Sequence, residues 1–314
     1  MTVHPDKSPV YVIKTTDREA GVRRLLEHYL PGDFKGRTVA VKANFNSPDP
    51  FPASTHLDTL SALADVLKEN GAASVTLAER SGMGNTADVL REMGVTALAA
   101  RKGFDVVVLN DLDDVRHWEK QGTAEGFHWK HGYLFPRLFD EADAIVQTCC
   151  LKTHRFGGHF TMSLKNSVGM VARHDPETGH DYMRDLHLSP FHQRHMIAEV
   201  NTSYTPAFVV MDGIRGFSHG GPEEGTVIEP GVLLASDDRV ALDACGVAVL
   251  RTYGTTPEVS HGGIFQQAQL ARAAQLGLGA SGADQVDVVP LNDEARDICH
   301  NIERQLRGTV VVER

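Results

Sequence analysis

RTVAVKANFNSPDPFPASTHLDTLSALADVLKENGAASVTLAE, residues 37–79, decides the fold class. It opens with RTVAVK (37–42), a short β-branched run, passes through a Pro-rich loop, and enters THLDTLSALADVLKEN (55–70). There Leu57, Leu60, Ala64 and Leu67 recur at helical spacing and form one apolar stripe. Thr55 with Asp58 reads as a capping box, and Gly71 stands where a helix would exit. SVTLAE (74–79) then repeats the β-branched signature. Strand, helix and strand in this order make a βαβ unit, whose crossover helix brings the two strands side by side in parallel.

The same rhythm extends in both directions. Upstream, VYVI (10–13) precedes DREAGVRRLLEHYL; downstream, a glycine loop precedes NTADVLREMG. Further strands are predicted at DVVVLN (105–110), ADAIVQT (142–148), PAFVVMD (206–212) and GVLLAS (231–236), with helices near 133–141, 190–202 and 238–252. Their near-continuous apolarity predicts strands buried on both faces. The expected fold is therefore α/β: a doubly wound, mostly parallel sheet with helices on both faces and a C-terminal α/β extension. The main domain is assigned to residues 1–254, with a lid-like insertion near 111–132 that carries Trp118, Trp129, His117, His128 and His131. Residues 255–314 should pack back on it as a helix at about 263–276, a strand at QVDVVPL, a helix at 294–306 and a terminal strand TVVVE.

Composition narrows the function. With 314 residues, 41% of them hydrophobic and 23% charged, the chain can bury a large core. A formal net charge of −10 excludes a general nucleic-acid binder, because phosphate contacts demand a basic footprint. No stretch approaches the roughly 20 apolar residues that span a bilayer, and the N-terminus lacks a signal-like apolar core, so a cytoplasmic location is expected. Cys149, Cys150, Cys245 and Cys299 show no C-x-x-C spacing, hence no iron–sulfur motif and no structural zinc knot.

In open α/β sheets ligands sit beyond the carboxyl ends of the strands, so the polar residues there are the candidates. They are Lys42, Asn44 and Asn46; Glu79, Arg80 and Ser81; Lys152 and His154; Asp212, Gly213 and Arg215; and Asp237, Asp238 and Arg239. Residues 151–187, LKTHRFGGHFTMSLKNSVGMVARHDPETGHDYMRDLH, add His159, Lys165, Asn166, His174, His180 and His187. Imidazoles titrate near neutrality and bind metals, ammonium groups hold anions, and glycines let the backbone approach a ligand. Lysines at strand ends are costly unless they meet an anion or a paired acid, which makes Lys42 and Lys152 markers of an anion site. The substrate-binding set is thus Lys42, Asn44, Asn46, Arg80, Lys152 and Asn166, and the catalytic set His154, His159, Lys165 and Asp212. A divalent metal, if bound, is assigned to His154, His159, His174 and Asp212, although no H-E-x-x-H motif is written. Asp237 reads as the N-cap of the helix that follows, and Asp243 as a buried partner for Arg239 or Lys165.

KANFNSPDP, ADAIVQTCCLKTH, SLKNSVGM, VMDGIRG with GGPEEG, and LASDDRVALDACG together resemble the prokaryotic domain-of-unknown-function family 362, over about residues 37–254. The resemblance marks Lys42, Asn44, Lys152, His154, Lys165, Asn166, Asp212, Gly213, Gly225, Asp237 and Asp243. Some members of that family carry an appended ferredoxin-like domain with cysteine clusters, which this sequence lacks. SLKNSVGM is also loosely similar to the lysine-bearing glycine loop of lactate-racemase-type proteins, which act on a hydroxy acid with a nickel-pincer nucleotide.

These readings converge on an enzyme of lyase or isomerase type that acts on a small carboxylate or phosphate by Lys/His acid–base chemistry, with or without a divalent metal. The alternative is a non-catalytic protein that binds or matures a metal or cofactor. The expected partner is a small anionic molecule, without nucleic acid or membrane, and a homodimer is compatible with the sequence.

Overall fold

The computed structural model describes residues 7–29 and 34–308. Its strands are β1 (Ser8–Lys14), β2 (Thr38–Lys42), β3 (Ser74–Glu79), β4 (Asp105–Val108), β5 (Trp118–Gln121), β6 (Tyr133–Pro136), β7 (Ala144–His154), β8 (His159–Thr161), β9 (Phe208–Gly220), β10 (Gly225–Ile228), β11 (Val232–Ser236) and β12 (Val286–Pro290). One ten-stranded sheet runs β12–β1–β11–β9–β7–β2–β3–β4, with β8 beside β7 and β10 beside β9. Along that path only β11 opposes its neighbours; the remaining pairs are parallel. The protein is an α/β fold with a mostly parallel mixed sheet.

Both faces of the sheet are covered, which is why its strands read as continuous apolar runs. Val39 and Val41 point into a core built with Leu60, Leu63 and Leu67 of the helix Leu57–Glu69, while Ala40 between them packs into a cluster on the opposite face. The two-residue alternation of a strand thus serves two cores at once. The second face divides. Val209, Met211, Val232 and Leu234 lie under the helix Arg239–Thr252, and the aromatic cluster of Trp118, Trp129, Tyr133 and Phe135 covers Ala40 and Ile145. β12 joins the edge of the main sheet parallel to β1, and the helix Arg296–Leu306 shares a core with the helix Arg239–Thr252.

Several local expectations need correction. The predicted helix over 133–141 is a strand followed by a helix at Arg137–Glu141, because Tyr133–Pro136 pairs with Trp118–Gln121 in a separate two-stranded sheet. That pairing absorbs the predicted lid: no residue of 111–132 lines the main cavity. The strand at 105–110 stops at Val108 and turns into a 3-10 helix. Strands 142–148 and 206–212 run on to His154 and Gly220, since the hairpins with β8 and β10 supply partners beyond the sheet proper. His56, not Thr55, caps the helix Leu57–Glu69, its Nδ1 accepting from Asp58 N; the Thr55 hydroxyl accepts from Asn44 N instead. Asp238, not Asp237, caps the helix Arg239–Thr252 by accepting from Val240 N and Ala241 N. The predicted strand TVVVE lies outside the described residues. Among the described residues no helix is long and apolar enough to cross a membrane.

The topology fixes where a ligand can sit. From β2 the chain steps outward to β3 and β4, then returns to β7 on the other side of β2. The carboxyl ends of β2 and β7 therefore flank a topological switch point, where such sheets open a crevice.

Candidate functional site

A cavity of about 600 Å³ occupies that crevice, large enough for a small metabolite. Its lining includes Lys42, Arg80, Lys152, Lys165, Arg173 and Arg184 against two acids, Glu79 and Asp181, among the described residues. A chain of net charge −10 thus folds a positive pocket into its interior, and such a pocket draws in anions.

One wall is closed upon itself. Lys42, at the end of β2 and 1% exposed, donates from Nζ to Glu79 Oε1 at 2.5 Å, to Ala43 O at 2.5 Å and to Asn166 Oδ1 at 3.1 Å. An ammonium has three donors, so all of them are spent. Burial lowers the Lys42 pKa and the adjacent Glu79 carboxylate opposes that shift. Lys42 is therefore half of a buried ion pair, contrary to the expectation that it holds substrate. Arg80 is also occupied: Nε donates to Val171 O at 2.7 Å and Nη2 to Val168 O at 2.5 Å. Burial pulls its pKa down to about 10, which leaves it cationic at neutral pH; it contributes field and holds the 168–171 turn. Gly169 in that turn is required by closeness, because a Cβ there would meet Lys42 Nζ at 2.9 Å. Asn44 Nδ2 donates to Ala53 O, and Asn46 Oδ1 accepts from Gly82 N.

A second wall is open. Lys152, near the end of β7 and 1% exposed, donates to Ala53 O and to Pro222 O, leaving one ammonium hydrogen without a protein acceptor. No carboxylate among the described residues pairs with it, and burial lowers its pKa. His154 is 6% exposed and its Nδ1 has no hydrogen-bond partner. Burial, then Lys165 and Lys152, hold its pKa well below the usual imidazole value, so the ring is neutral. Lys165 has no hydrogen-bond or ion-pair partner among the described residues; burial, then Lys152 and Arg80, bring its pKa down to about 7. A Cβ on Gly158 would lie 2.9 Å from His154 Nδ1 and 3.0 Å from Lys165 Cε, so that glycine lets the two side chains share one space.

Lys165 is placed by a distant acid. It lies in the short helix Ser163–Asn166, whose first amides are capped by Asp243 of the helix Arg239–Thr252. Asp243 accepts from Ser163 N at 2.9 Å, Ser163 Oγ at 2.6 Å and Leu164 N at 2.9 Å. It is not the hydrogen-bonded partner of Lys165 or Arg239; Arg239 instead donates to Asn201 Oδ1 and O and to Tyr204 O. Asn166 Nδ2 donates to Thr148 O, tying the same turn to β7.

Three sequence candidates lie elsewhere. Asp212 accepts from Arg18 Nε at 2.8 Å, Thr59 Oγ1 at 2.6 Å and Ile214 N at 3.1 Å, and it does not line the cavity. Its register partner across β7 is Cys150, whereas β7 runs four residues further to His154, so its carboxylate is left behind the site and fully paired. His159 opposes His154 in the β7/β8 hairpin but does not line the cavity. His174 is exposed, 3.6 Å from Asp181. The proposed metal set of His154, His159, His174 and Asp212 therefore does not converge; the residues that bring three ligand atoms within 4.8 Å of one another are His128, His192 and His195, and His131, His180 and Asp185. Sequence reading missed Arg173, Asp181 and Arg184, and had His187 only as one histidine of the 151–187 stretch. The helix Tyr182–His187, capped by Asp181, swings the last two into the lining, and the D-x-x-R spacing after HDPETGH was its signal.

The match to a known family covers this whole site. A sequence model described as a domain of unknown function, DUF362, matches residues 39–248. The chain belongs to the DUF362 family. Both walls of the cavity and Asp243 lie inside the DUF362 match. No curated protein matches the chain in sequence. Among solved structures, the lactate racemase apoprotein from Thermoanaerobacterium thermosaccharolyticum is similar with a TM-score of 0.46 and 15% identity; the match covers 79% of this chain and 59% of that one.

Proposed function

We propose that the protein binds a small carboxylate or phosphate in the switch-point cavity and moves a proton on it, as a lyase or an isomerase does. The observation that carries this reading is the unpaired amine of Lys165, with its pKa at about 7, beside the unpaired, neutral imidazole of His154. An amine titrating near the working pH is half in its basic form and is a competent proton acceptor and donor. The spare hydrogen of Lys152 and the field of Arg80 seat the anion, Lys165 takes a proton from the carbon beside it, and the His154 N–H stabilises charge that develops on a neighbouring oxygen.

The test is solvent exchange. Purified protein is incubated in deuterated buffer with a panel of small hydroxy acids, keto acids and their phosphorylated analogues, and loss of substrate C–H signal is followed by NMR. Exchange that depends on Lys165 supports the reading; absence of both exchange and binding across the panel overturns it. A second reading, non-catalytic binding or cofactor maturation, is favoured by the apolar rim of Met83, Phe156 and Leu188, exposed at the cavity mouth, which suits a ligand or partner larger than a simple acid. Tight binding without exchange is its signature.

A further inference from the structure

Outside the cavity, three imidazoles are packed against one another. His128 stacks on His192 with ring centroids 4.5 Å apart and on His195 at 5.0 Å, and His192 lies 6.3 Å from His195. His192 and His195 sit at the start of the helix Gln193–Val200, three residues apart and so on neighbouring turns of one face. His128 comes from the segment preceding β6, far off in sequence. One ligand atom from each lies within 4.8 Å of the others.

Beneath them is a buried carboxylate. Glu199, fully buried, accepts from His128 N at 2.9 Å and lies 2.7 Å from His128 Nδ1, while Arg272 Nη2 neutralises it at 2.8 Å. A carboxylate on one ring nitrogen fixes the tautomer and leaves the lone pair of the other free, as behind metal-bound histidines. The other two rings have no such partner. His195 Nδ1 is buried without a hydrogen bond, and the His192 side chain makes only ring contacts among the described residues. A desolvated ring nitrogen left unpaired costs stability, and protonating the stack would set like charges side by side. A cation that uses all three lone pairs removes both penalties.

We propose that His128, His192 and His195 form a binding site for a borderline divalent transition metal, zinc above all, with Glu199 as the carboxylate that orients His128. Three neutral nitrogens without a thiolate suit zinc, cobalt, nickel or copper and do not suit magnesium or calcium, which take oxygen ligands. Zinc–nitrogen bonds of about 2.0–2.1 Å in tetrahedral geometry hold their nitrogens inside the 4.8 Å within which these three lie, and the exposed His192 has the freedom to adjust. Three histidines leave a fourth position for water or a ligand. Bound metal would also pin the segment around Trp129 to the helix Gln193–Val200, where Trp129 Nε1 already donates to Met196 O.

The measurement is zinc binding to the full chain, without a histidine tag, by competition with a chromophoric chelator, together with the visible spectrum of the cobalt form. One equivalent of zinc, a tetrahedral cobalt spectrum and no competition from magnesium are expected. His192→Ala, at an exposed side chain outside the hydrophobic core, should weaken zinc at least tenfold, and Glu199→Gln should weaken it less. His131→Ala should change nothing. The proposal fails if no stoichiometric zinc binds, if His192→Ala leaves the affinity unaltered, or if His131→Ala is the variant that lowers it, which would move the site to His131, His180 and Asp185.

Discussion

Lys42 and Lys165 line one cavity, and the difference between them lies in where their hydrogens go. Lys42 gives all three to Ala43, Glu79 and Asn166, whereas Lys165 gives none to the protein. The first is a countercharge built into the fold; the second is an amine without a protein partner among the described residues. Residue type is the same for both, so it does not separate them. Only the count of satisfied donors does, and by that count Asp212 belongs with Lys42, and His154 with Lys165.

The sharpest way to break this division is to remove a partner from the closed wall. Glu79→Gln leaves Lys42 buried without a countercharge, and breaking a buried pair in this way costs about 3–5 kcal/mol. Asp212→Ala, which strands Arg18 and Thr59, should destabilise by a similar amount. Chemical denaturation reads both. Lys165→Met, by contrast, deletes a charge that has no partner and should leave stability unchanged or raise it. Comparable losses in all three variants would mean that the two walls are equally structural.

The open wall should answer in binding. Lys152→Met removes the spare donor and His154→Ala the unpaired ring, and each should weaken a sulfate or small-carboxylate probe at least tenfold, about 1.4 kcal/mol, with little change in melting temperature. His180→Ala, whose ring is engaged with Asp185 outside the cavity, should bind the probe as the parent does. Calorimetric titration of the three variants decides whether the open wall is where the anion sits.

The eight strands of the sheet's main path, from Val10 to Val289, were readable by apolarity because the sheet is covered on both faces; the hairpin strands β8 and β10 were not. The site was readable in part because the topology gathers strand ends along one edge, which is how Lys42, Lys152 and His154 meet across more than 100 positions. What stayed hidden is what local sequence does not encode. The Lys42–Glu79 pair depends on two neighbouring strands and Asp243 reaches Ser163 from another helix. The histidines at 128, 192 and 195 become a cluster only when the segment before β6 folds onto a helix more than 60 residues away. Tyr133–Pro136 read as helix because its strand partner, Trp118–Gln121, is polar at three of four positions and gave no strand signal of its own.

The finest test of the comparison is the pH dependence that Lys165 contributes. The unfolded Lys165 amine titrates near about 10.4, and the folded one at about 7. Between those values the unfolded chain carries a proton that the folded chain has given up, so stability rises with pH across this window. The penalty is fully present below about 7, where the folded protein must bury the charge. Lys165→Met should flatten that rise. Anion binding runs the other way: a protonated Lys165 attracts sulfate, which does not itself titrate in this range, so affinity should fall a few-fold as pH rises through about 7. Lys152, His154 and His187 face the same space, and the Lys165→Met variant separates the amine from them. If the variant keeps the full pH dependence, the titrating group is one of those three, and Lys165 loses its place as the proton carrier.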